Sequence, residues 1–131
     1  MTSNIELKNI ADSLHIPNFN VLMKDELLNY NNIKYPLNLI VGSKNSDESD
    51  DYNHWTMCYV DEQQKIFYSS FGDKIPLEIK EFLYKLDDRP ILSSDWQIQD
   101  WSETSCGMYC ILILWLILQD MKFEDIILNL I

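Results

Sequence analysis

Apolar residues at Ile5, Leu7, Ile10, Ala11 and Leu14 recur at helical spacing, with Ser3 placed to cap the first turn and Pro17 to stop the helix. Residues 21–30 follow no clear period. Residues 37–41, Leu-Asn-Leu-Ile-Val, read as a short buried strand, and residues 42–53 as a polar loop carrying Asp47, Glu48, Asp50 and Asp51. That loop ends at His54. Strand formers at 55–60 and 65–70 flank a polar break at 61–64, which predicts an antiparallel hairpin. Pro76 stands where a helix can start, and Leu77, Ile79, Phe82, Leu83 and Leu86 supply its apolar face before Asp87-Asp88-Arg89-Pro90 ends it. Residues 95–99 predict a further strand, followed by a turn at 100–105 and an apolar helix that starts at Cys106. Residues 123–130 form the last helix, with Glu124 and Asp125 in its first turn, where the helix dipole favours them. The order helix, strand, hairpin, helix, strand, helix, helix predicts an α+β fold with a small central sheet.

The 131 residues are expected to form one domain, 1–131, large enough to bury a rigid constellation of side chains. Apolar residues make up 47 %, well mixed with charge, so the composition is globular. The formal net charge is −11, which argues against direct binding to a nucleic-acid backbone. It is foremost a source of solubility and also allows a basic substrate. Three cysteines, Cys58, Cys106 and Cys110, leave one over from any pairing. With no second Cys/His pair at metal-finger spacing, they predict free thiols in a reducing compartment and no metal. The first twenty residues do not read as a signal peptide. The apolar run of about eleven residues before Gln119 is shorter than the roughly twenty that a bilayer requires, so it reads as a core helix.

The chemistry concentrates at Cys106. A thiol in the first turn of a helix sits at the positive end of the aligned peptide dipoles, which favours thiolate over thiol. Gly107 permits close backbone approach, and the free N–H of Cys106 can join the side chain of Gln99 as a donor to a developing oxyanion. His54 supplies a candidate base, although a histidine beside a hairpin is more often simply half-exposed. Trp55 is most simply a core aromatic that fixes the face of its strand.

Asn53-His-Trp55, Phe67-Tyr-Ser-Ser-Phe-Gly72, Gln97-Ile-Gln99 and Cys106-Gly-Met-Tyr-Cys110 together resemble the adenovirus-type cysteine endopeptidases. Those enzymes belong with the proteases of ubiquitin-like modifiers. The versions carried by virophages and Maverick/Polinton transposons are similar also at residues 10–19 and 23–27, and residues 123–127 fit the family's closing helix. The resemblance implies a papain-like, adenain-like fold with the nucleophile at the N-terminus of a buried helix. It implies Cys106 as nucleophile, His54 as general base, Gln99 as oxyanion donor, and a narrow groove at Trp55 and Gly107 that accepts Gly-containing sites. The implied substrate is a viral capsid or core precursor, cut by a monomer in the host cytoplasm or virion, with no cofactor and no membrane contact. The activating peptide and DNA of adenoviral relatives are not carried over. Cys110 is a poor partner-facing thiol, and Cys58 reads as strand packing.

One position departs from the family. Ser69 stands where an Asp or Glu orients the histidine. A hydroxyl can fix the ring's tautomer but cannot stabilise an imidazolium by charge. Three outcomes follow: a dyad with Ser69 as weak orienter, which is the expected one, a substitute carboxylate from Asp73, Asp50 or Asp51, or a retired active site kept as a binding module.

Overall fold

The computed structural model describes residues 3–48, 53–94 and 106–130. Helix α1 (Asn4–Ser13) begins as the sequence predicts: Ser3 and Glu6 cap each other's backbone N–H groups in a reciprocal box. It ends earlier than Pro17 requires, because His15 turns the chain at φ 57°. The unclassified stretch resolves into strand β1 (Phe19–Met23) and a six-residue 3₁₀ helix, Lys24–Asn29. Strands β2 (Leu37–Gly42), β3 (Trp55–Val60) and β4 (Lys65–Tyr68) follow, then α2 (Leu77–Leu86), β5 (Ile91–Leu92), α3 (Cys106–Leu118) and α4 (Phe123–Leu130).

The five strands lie in chain order across one sheet. β2, β3 and β4 are antiparallel, while the edge strands β1 and β5 pair parallel to β2 and β4. Parallel neighbours need a crossover, and the 3₁₀ helix and α2 lie in those two connections. Residues 95–99, expected to be a strand, lie outside the described residues. The two-residue β5 just before them was not anticipated.

Both sheet faces are covered, so the central strands read as continuous apolar runs. Trp55, Met57 and Tyr59 of β3, with Ile66 and Tyr68 of β4, join a core with α1, α3 and α4. Cys58, Val60 and Phe67 face the other way, toward α2 and the 3₁₀ helix. Lys65 also points to that second side and is fully buried. Its Nζ donates to the carbonyls of Leu83 (2.9 Å) and Asp87 (2.8 Å), caps the end of α2, and lies 3.1 Å from Asp87 Oδ1.

Candidate active site

β3 and α3 meet at their first residues, and the ladder explains how. The Ser43 N–H donates to the His54 carbonyl at 3.0 Å. The next pair in register, Gly42 and Trp55, is therefore a non-hydrogen-bonded one, and the polar backbone groups of Trp55 face away from β2. β4 ends at Tyr68, opposite Met57, and does not reach them. The thiols of α3 fill the gap: Trp55 N–H donates to Cys106 Sγ at 3.3 Å, and Cys110 S–H donates to the Trp55 carbonyl at 3.4 Å. A weaker contact of 4.0 Å joins Cys106 Sγ to the Asn53 carbonyl. The candidate nucleophile is thus held against the residues on either side of His54.

Gly107 makes this approach possible. A Cβ there would stand 2.8 Å from Leu7 Cδ2 and 3.1 Å from Trp55 Cδ1. Trp55 is wholly buried and Gly107 is buried beneath it. Both therefore pack in the core under Cys106. They act by fixing where the thiol sits.

His54 is held by a single turn, residues 69–73. Ser69 Oγ lies 3.0 Å from His54 Nε2 and donates to Asp73 Oδ2 at 3.0 Å. Asp73 Oδ2 is also 3.4 Å from Nε2. Because the serine proton is directed to Asp73, its oxygen accepts, which assigns the ring proton to Nε2. Phe71 stacks on the imidazole with centroids 4.3 Å apart and planes 14° apart. Gly72, at φ 72°, reverses the chain so that Asp73 returns to Ser69, and its N–H donates to the Ser69 carbonyl at 3.0 Å. His54 Nδ1 is buried and has no hydrogen-bond partner among the described residues.

Burial pushes the Cys106 thiol above its ordinary pKa, against the opposing pull of the N–H groups of Trp55, Gly107 and Cys106. The helix-end effect inferred from sequence is present but smaller than desolvation. Burial likewise lowers the His54 pKa, and Asp73 partly offsets this. Both shifts favour the uncharged form, the thiol at Cys106 and the neutral imidazole at His54. Burial alone pushes Cys58 up to about 12, and burial together with the neighbouring Cys106 and Cys58 thiols places Cys110 well above the ordinary thiol range, so neither is a competing nucleophile.

No known protein family and no curated protein matches this sequence. A crystal structure of the ASFV pS273R protease does match in three dimensions, with TM-score 0.65 and 13 % identity. A selenomethionine crystal structure of that protease gives TM-score 0.59 and 15 % identity. The fold is that of a viral cysteine protease. The matches cover 92 % and 95 % of this chain but 57 % and 60 % of the solved ones, so the chain spans less than two thirds of that enzyme.

Within that fold, the side chains of His54, Ser69 and Asp73 come together, and Cys106 Sγ lies against the backbone of Asn53 and Trp55 on either side of His54. Gln99, Asp50 and Asp51 lie outside the described residues. Phe71 was missed by sequence reasoning, although its place between Ser69 and Gly72, in a segment already singled out, was the available signal. Among the described residues no group of three or more His, Cys, Asp or Glu side chains gathers to hold a metal, and no helix is long and apolar enough to cross a membrane.

Proposed function

We propose that this chain is a thiol endopeptidase in which Cys106 is the nucleophile, His54 the base and Asp73 the missing carboxylate. The observation that carries the reading is the state of the imidazole: Nε2 is engaged by Ser69 and Asp73, while the buried Nδ1 keeps its lone pair. A ring fixed at one nitrogen and open at the other is what a general base beside a thiol requires.

In the reaction, Nδ1 takes the Cys106 proton as Sγ attacks the scissile carbonyl carbon. The imidazolium then gives that proton to the departing amine as the C–N bond breaks, leaving a thioester on Cys106. Water, deprotonated by His54, attacks the thioester, and the C–S bond breaks to regenerate the thiol. Asp73 stabilises the transient imidazolium through the Ser69 hydroxyl and directly across 3.4 Å. Gln99 and the Cys106 N–H would receive the oxyanion. The chain's resemblance to adenovirus-type enzymes supports Gly-containing sites in viral structural precursors as substrates. The acidic chain would act as a monomer, without nucleic acid or cofactor, in the host cytoplasm or virion.

Cleavage of a Gly-Gly peptide by the wild-type chain, followed by mass spectrometry, tests this. Cys106→Ala should abolish product while the circular dichroism spectrum stays unchanged; undiminished cleavage by that variant would sink the assignment. The raised thiol pKa favours one rival, a protease fold retained to bind Gly-containing tails. That rival predicts peptide binding with no turnover in any variant.

A further inference from the structure

A cavity of about 340 Å³ opens behind the candidate histidine clamp, with Gly72, Asp73, Lys74, Lys80, Ser93 and Ser94 in its wall. Its charge is out of keeping with the molecule. In a chain of net charge −11, this wall has two lysines against one carboxylate. That carboxylate is already directed toward Ser69 and His54. Neither lysine forms an ion pair among the described residues. Two other cavities have the opposite balance. The groove of about 440 Å³ between the 3₁₀ helix and α2 sets Asp25, Glu78 and Glu81 against Lys24 and Lys85. The hollow beside the start of α4 sets Asp61, Asp120 and Glu124 against Lys122.

Position gives the cationic cavity a direction. The imidazole that protonates the departing amine stands on the leaving-group side of the cut bond. The cavity shares Asp73 with the clamp that holds Nε2 of that imidazole. Chain leaving the site past His54 and Asp73 would meet Lys74 and Lys80 next. We propose that this cavity is a specificity subsite for an acidic side chain, Asp or Glu, C-terminal to the scissile bond of the substrate, bound through Lys74 and Lys80. The inference rests on the endopeptidase reading and deepens it by naming a substrate feature. Two ammonium groups on flexible stems suit a single carboxylate of variable reach.

The test uses the full chain carrying Cys106→Ala, so that peptides bind without being cut. Fluorescein-labelled peptides spanning a Gly-Gly site would differ only in bearing Glu, Gln or Lys within the first four residues after it. The Glu peptide should bind about fivefold tighter than its Gln twin, the scale of partly screened charge pairs, and the Lys peptide more weakly still. Lys74→Gln with Lys80→Gln should erase that difference and leave the Gln peptide's affinity unchanged. Added salt should erode the difference too. Equal binding of all three peptides, or a preference that survives the double variant, overturns the subsite while leaving the endopeptidase reading in place. Failure of every peptide to bind overturns both. Inorganic phosphate, titrated separately, distinguishes the source of the anion: tight phosphate binding without a Glu preference would make the cavity a small-anion site and contradict the proposal.

Discussion

Ser69 bridges His54 and Asp73, and in the proposed reading it is one half of a composite acid rather than a weak orienter or the mark of a retired site. Its hydroxyl passes the influence of Asp73 to His54 and sets the proton on Nε2. Asp73→Asn should lower kcat/KM on the order of tenfold, equivalent to about 1.4 kcal/mol of transition-state stabilisation. It should also move the acidic limb of the pH profile downward, because Asp73 holds the His54 pKa up. Ser69→Asp should bring no gain, since two carboxylates would then share one site and repel. The exchange Ser69→Asp with Asp73→Asn should recover turnover relative to Asp73→Asn alone. Recovery by Ser69→Asp in the presence of Asp73 would refute this view of the clamp. A stability signature accompanies the kinetic one. His54 is charged less readily in the folded chain than at its unfolded value of 6.5. Its neutral form therefore costs nothing above that pH, and stability drains away as pH falls from 6.5 through the lowered folded pKa. Urea unfolding at several pH values should show this loss in the wild type and less of it in His54→Gln.

At the scale of elements, two close approaches organise the site and the sheet. α3 reaches β3 only because residue 107 lacks a side chain. Gly107→Ala should cost about 1–3 kcal/mol through overpacking against Leu7 and Trp55, read as a lower urea midpoint with an unchanged slope. On the opposite face, Lys65 binds β4 to the end of α2. Lys65→Met should cost about 1.5–3 kcal/mol, because the carbonyls of Leu83 and Asp87 lose a charged donor. Much of this was legible in advance. α2, α3 and α4 lie where periodicity, Pro76 and the acidic first turn put them, and Ser3 caps α1 as expected. β1 was hidden because Phe-Asn-Val-Leu-Met leads without a turn residue into a 3₁₀ helix, leaving neither period long enough to see. β5 is two residues long and owes its existence to pairing with Lys65 and Ile66, which no local pattern encodes.

For the whole molecule, the ordered spacing of His54, Ser69 and Cys106 along the chain becomes one locus because β3, β4 and α3 converge at one end of the sheet. Sequence singled out these residues but could not weigh burial against the helix end, and burial prevails at Cys106. The account is therefore of a thiol whose burial favours the neutral form and which loses its proton to His54 as it reacts. The most direct measurement is the rate of Cys106 alkylation by iodoacetamide across pH, read by intact mass, in the wild type and in His54→Ala. The account predicts a plateau that starts at the lowered pKa of His54 and extends through neutral pH, and that disappears in the variant. A rate that rises only at and above the ordinary thiol range, with no effect of removing His54, would contradict it.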